Sequence, residues 1–149
     1  MDTDVLAQLM DRKCEVLEQL HQLAQRQLAV VGEGGQTSDL LGVLAAKQGL
    51  LDQLQALQRQ LDPYRQQDPD SRRWRTTRDR QRCAQVSGRC QALLGEVIEL
   101  ERRSETQLKS QRDRTAAQLR AVSTAAEARA AYTARPGDSQ RSLDLASEA

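Results

Sequence analysis

Phenylalanine is absent from this chain of 149 residues, and one tryptophan and two tyrosines are its only aromatic side chains. Without large rings a wide globular interior is hard to fill, whereas Leu, Val and Ala suit narrow seams between helices. Proline is as scarce, with Pro63, Pro69 and Pro136 the only three and none between 71 and 134. Strand-forming runs of Val, Ile, Thr and aromatics are also missing, while Gln, Arg, Ala, Leu and Glu dominate. The expected fold class is all-α, an antiparallel helical hairpin plus one long third helix.

Other absences narrow the chemistry. The single histidine, His21, stands among seam leucines with no nucleophile or carboxylate at a diagnostic spacing, so no enzyme activity is expected. Cys83-x6-Cys90 lacks the close pairs and extra ligands of a zinc site. Those two cysteines share a helical face about 10 Å apart along the axis, beyond the roughly 7 Å Cα limit for a disulfide, and read as small core residues. Gly32-x-Gly34-Gly35 lacks the lysine and the preceding strand of a phosphate loop. No cofactor or metal is expected.

No apolar run exceeds Leu28-Ala29-Val30-Val31, too short for membrane insertion, and Met1-Asp2-Thr3-Asp4 is acidic where a signal peptide is basic. The expected location is the cytoplasm, where the three cysteines would be reduced. Net charge is only +1 but unevenly spread: residues 1–71 hold 6 Lys/Arg against 11 Asp/Glu, and residues 72–149 hold 16 against 10. The basic half is expected to fold back onto the acidic half.

What is present is periodic. Leu6, Leu9, Lys13, Val16, Leu20, Leu23 and Gln27 recur at steps of three and four, predicting a first helix over 3–31 that Gly32-Glu33-Gly34-Gly35 stops. Thr37 or Ser38 is the expected cap of a second helix over 39–61, with seam residues Leu40, Leu44, Lys47, Leu51, Leu54, Gln58 and Leu61, widened by Leu41, Leu50 and Leu57. The short connection makes the pair an antiparallel hairpin. If opposed residues sum to about 71, Lys13 faces Gln58 and Lys47 falls near Leu23 and Ala24. Two readings of those lysines stand: polar residues that fix register within the seam, or edge residues with their ammonium groups in water.

Asp62 to Asp70, with two prolines, is the expected linker. After an Asp70 or Ser71 cap, the third helix is predicted over 71–134, on the order of 90 Å long and more than the shorter helices cover. Its first half carries Cys83, Ser87, Cys90, Leu94 and Val97, with Gly88 and Gly95 as candidate bend points. Residues 1–134 form one helical domain in this reading, and 135–149 a disordered tail.

Six arginines between 72 and 82 surround Trp74. They point to ion pairing with the hairpin and solvation before nucleic-acid binding, because a helix would spread them around its circumference, and Trp74 is expected to cover one end of the bundle. Beyond Glu101 the seam turns polar and alanine-rich. The stripe Leu108, Thr115, Leu119, Val122 and Ala126 could receive a helix of a partner, or a second copy in a homodimer.

The layout over residues 3–134 resembles the FlgN-type flagellar export chaperones. The resemblance rests on the leucine-rich first helix, on Leu44-x-x-Lys47-x-x-Leu50-Leu51-x-x-Leu54, on the Pro- and Arg-rich crossing ending near Trp74, and on Glu99-Leu-Glu-Arg-Arg-Ser-Glu-Thr-Gln-Leu108 leading into a last helix that reaches Tyr132. Family members often carry asparagine where Ser104 stands. The resemblance implies a cytosolic chaperone that binds a helical terminus of the flagellar hook-associated junction proteins through its last helix and hands it to the type III export gate. Tyr132 is the residue placed to match a gate-docking tyrosine. The alternatives are a structural coiled coil that self-associates through the third helix and, behind it, a nucleic-acid adaptor.

Overall fold

The computed structural model describes the backbone of residues 2–148 and the side chains of residues 2–134. The expected tail, 135–149, lies outside the residues described in full. Three α-helices follow one another, α1 (Thr3–Gly32), α2 (Thr37–Gln66) and α3 (Thr77–Glu148), with a 3₁₀ turn (Pro69–Ser71) before the last. No strand occurs among the described residues. The all-α hairpin followed by a long third helix is therefore the architecture. By compactness the chain divides into two units, residues 1–107 and 108–149.

Local chemistry sets the ends of α1. The Asp2 carboxylate accepts from the Asp4 backbone N–H at 2.8 Å, occupying one of the donors a helix start leaves open. At the other end Gly35 N–H donates to Val30 O at 2.8 Å and Gly34 N–H to Val31 O at 3.2 Å, the paired bonds of a Schellman stop. Gly34 takes φ +64°, and a Cβ on Gly35 would lie 2.8 Å from Val30 Cγ1. Both positions need glycine.

The backbone of α3 runs on to Glu148, past the expected end at 134, and the boundaries differ from expectation at three further places. The cap of α2 is Gln36, whose side chain makes no capping bond, so the helix begins at Thr37 and not after it. Its other end passes through Pro63 to Gln66. Proline forfeits one backbone bond there, and the turn beyond it is held by Tyr64, which is buried and donates through its hydroxyl to Asp2 O at 3.3 Å. The third helix begins at Thr77 and not at 71. Asp68 caps the 3₁₀ turn, and Thr76 Oγ1 accepts from Asp79 N–H at 3.1 Å to start α3. The chain between is strapped down by Arg72 Nη2 donating to Tyr64 O at 2.6 Å and Thr3 Oγ1 donating to Arg73 O at 3.2 Å.

Within residues 1–107 the core has two parts. Leu17, Leu20, Leu50, Leu54, Cys90 and Leu93 belong to the central cluster. Leu6, Leu61 and Tyr64 form an end cluster against which Trp74 packs, as expected of a residue covering one end. In α3 the buried leucine is Leu93, and the expected Leu94 is exposed; in α2, Val43 is buried and Leu44 is exposed. Gly88 and Gly95 sit inside unbroken helix.

The opposite charges of the two halves meet as a ladder. Arg75 pairs with Asp4 at 2.6 Å, Arg82 with Asp11 at 3.5 Å and Arg89 with Glu18 at 2.9 Å, each pair 71 positions apart in sequence. A constant offset means that this part of α3 runs parallel to α1. Such pairs are exposed and individually weak, but they repeat every seven residues along α1 and from Arg75, just ahead of α3, into that helix.

Lys47 does not end in water. Its Nζ donates to Gln27 Oε1 at 2.8 Å and meets the Glu101 carboxylate, so one ammonium group joins all three helices. The register-fixing reading therefore holds for Lys47, with Gln27 and not Leu23 or Ala24 as its hairpin partner. Lys13 is half-buried and lines a cavity described below.

Candidate partner-binding surfaces

The single histidine and the three cysteines all make contacts within residues 1–107. His21 Nε2 lies 2.9 Å from Glu96 beside a hollow whose remaining walls are Glu18, Gln22, Arg89, Ala92 and Leu93. No hydroxyl or thiol side chain lines that hollow. All three cysteines are free thiols. Burial pushes the Cys90 thiol up to about 11, with the neighbouring Cys14 adding to it. Burial likewise raises Cys83, partly offset by the Arg72 guanidinium. A thiol held protonated is a poor nucleophile and a poor metal ligand. Among the described residues no group of three His, Cys, Asp or Glu could hold a metal ion, and no helix is long and apolar enough to cross a membrane.

Apolar surface is the more informative feature. In residues 108–134 of α3, Leu108, Thr115, Leu119, Val122 and Ala126 are all exposed, Leu119 by 66% and Val122 by 67%. At about 100° per residue these five fall within roughly 40° of one line along the helix. They form one stripe. Tyr132 is also exposed, but the same arithmetic puts it about 120° around the helix from them. The expected six residues are thus a stripe of five and a separate tyrosine.

A second surface lies wholly within residues 1–107, where sequence reading saw only seam. A cavity of about 430 Å³ opens beside α2 and the start of α3, walled by Leu6, Met10, Leu61, Tyr64, Trp74 and Leu94. Its charged lining residues are Lys13, Arg65, Arg72 and Arg80, and no carboxylate lines it. Leu94 of its wall is exposed, as are Leu44 and Leu51 elsewhere on α2 and Ile98 one turn further along α3. The signal that could have found it was present: both α2 and α3 carry more leucine and isoleucine than a single seam can bury.

No family model, curated protein or solved structure matches the chain.

Proposed function

We propose that the chain is a non-catalytic helix-binding protein, a cytoplasmic export chaperone of the FlgN type. It would hold a helical terminus of flagellar hook-filament junction proteins and pass it to the type III export gate. The observation that supports this most is the exposed stripe Leu108, Thr115, Leu119, Val122 and Ala126 on α3. An amphipathic client helix laid along it covers apolar side chains of both molecules, which is the driving force for association in water. The angular separation of Tyr132 fits a division of labour, with the stripe for the client and the tyrosine for the gate.

Burying a leucine or valine side chain is worth about 1.5–3 kcal/mol, so an aspartate in its place should weaken client binding by roughly tenfold or more. The test is calorimetric titration of purified hook-filament junction protein into the full chain and into Leu119→Asp and Val122→Asp variants. Loss of affinity with unchanged helical content supports the proposal. Unchanged affinity in both variants removes the stripe as the client site, and no binding by the full chain removes the chaperone reading. The same exposed stripe favours one rival, a dimer of the chain through α3. Light scattering separates them, since a stable dimer that Leu119→Asp dissociates belongs to the rival.

A further inference from the structure

The cavity beside α2 and the start of α3 combines apolar walls with charge of one sign, and nothing in the described chain covers it. Among the described residues, Lys13 Nζ and the Arg80 guanidinium make no hydrogen bond or salt bridge, and Arg65 reaches only Asp62, at 3.8 Å. Arg72 Nη2 donates to Tyr64 O, but its Nε is buried with no acceptor among the described residues. The buried Arg72 Nε carries a desolvation cost that an incoming anion would relieve, and the more exposed Lys13, Arg65 and Arg80 add positive charge around the same hollow.

We propose that this groove is a second docking site, for an amphipathic helix of a partner protein that is apolar on one face and acidic beside it. Two features select that occupant. The first is charge: four cations and no carboxylate line the cavity, so glutamates or aspartates flanking an apolar stripe find partners and lysines are repelled. The second is backbone. The long walls are α1, α2 and α3, whose N–H and C=O groups are already bonded within themselves. Only the short segment through Pro69, Arg72 and Trp74 at one end is not α-helical, so the groove offers no continuous ladder to an extended strand. A helical segment satisfies its own backbone and needs only side-chain contacts. From Arg80 to Leu94 the groove follows α3 for 14 residues, about 21 Å, which matches four turns of a partner helix. Leu6, Met10, Leu61 and Leu94 supply its apolar floor, and the resulting packing is that of a four-helix bundle. This site shares no residue with the stripe at 108–126, so it stands or falls independently of it.

Trp74, the only tryptophan of the chain, lines the cavity and reports its occupancy. The probe is an 18-residue helical peptide of leucine, alanine and glutamate, free of aromatics, titrated into the full chain while Trp74 emission is followed. The control peptide carries lysine in place of each glutamate. The expected result is a saturable change in Trp74 emission with the acidic peptide and none with the basic one at the same concentration. Arg80→Glu together with Lys13→Glu should weaken binding at least tenfold, and Leu119→Asp should leave it unchanged. If the double variant loses helical content by circular dichroism, Arg80→Glu with Ile98→Asp, both exposed positions, replaces it. Equal response to the two peptides, no saturable response, or a response only to a single-stranded oligonucleotide each overturns the proposal.

Discussion

Lys47 Nζ donates to Gln27 Oε1 across 2.8 Å, and the third helix reaches the same ammonium group through Glu101. Gln27 is buried, so its amide oxygen has no easy recourse to water. Replacing Lys47 by methionine keeps the bulk of the stem but strands that oxygen. Lys47→Met should cost about 1–3 kcal/mol, and adding Gln27→Leu should recover part of it. Urea unfolding with an unchanged slope measures both.

Leu17 is 1% exposed at the centre of the larger cluster, whereas Leu94 stands at the open groove. Leu17→Ala is expected to cost about 2–5 kcal/mol and Leu94→Ala less than about 1 kcal/mol. Comparable losses at the two sites would mean that the groove is packed shut in solution.

Ser104 is 1% exposed and its hydroxyl has no hydrogen-bonding partner among the described residues. A buried hydroxyl without a partner carries a desolvation cost that alanine does not. Ser104→Ala should therefore raise stability by up to about 1 kcal/mol, read as a higher urea midpoint. A clear loss of stability would show that the hydroxyl is satisfied by bound water.

The Cys90 thiol, pushed up to about 11 by burial, sets a pH dependence whose sign is fixed. Unfolded, the thiol loses its proton near its ordinary 9.0; folded, it keeps it until about 11. Below pH 9 both states are protonated and its stabilising share is fully present. Between pH 9 and 11 the unfolded state gives up the proton first, so stability falls as pH rises. Comparison of the native chain with Cys90→Ala at pH 7, 9 and 10.5 isolates this: the difference between them should narrow with pH, and a constant difference would refute the shift.

Most of the helical architecture was legible because steps of three and four recur in α1 and glycines stop it where the Schellman bonds form. Phase was harder to read. In α2, Leu40, Leu41, Leu44, Leu50, Leu51, Leu54, Leu57 and Leu61 cover much of the circumference, so either Val43 or Leu44 completes a regular seam, and packing alone selects Val43. The same one-residue ambiguity placed Leu94 inward in place of Leu93. The start of α3 was misplaced because Ser71 to Thr76 has no helix breaker, and the bonds that straighten it come from Tyr64 on the preceding helix and from Thr3, 70 positions away in sequence. The stripe at 108–126 was readable from periodicity. Surplus leucine on α2 and α3 signalled an unburied apolar face, but the groove's place was not readable, because it depends on which face of α2 turns from α1.

The ladder of Asp4, Asp11 and Glu18 against Arg75, Arg82 and Arg89 has a translational symmetry that the leucine core lacks. Sliding α3 by seven residues, about 10 Å, would bring Arg82 to Asp4 and Arg89 to Asp11 and keep two of the three pairs. As a vernier the ladder is blind to whole steps: it fixes direction and angle but accepts several axial positions. Lys47 occurs once, and so does its contact with Glu101. That single cross-tie is the index mark against which the repeating scale is read.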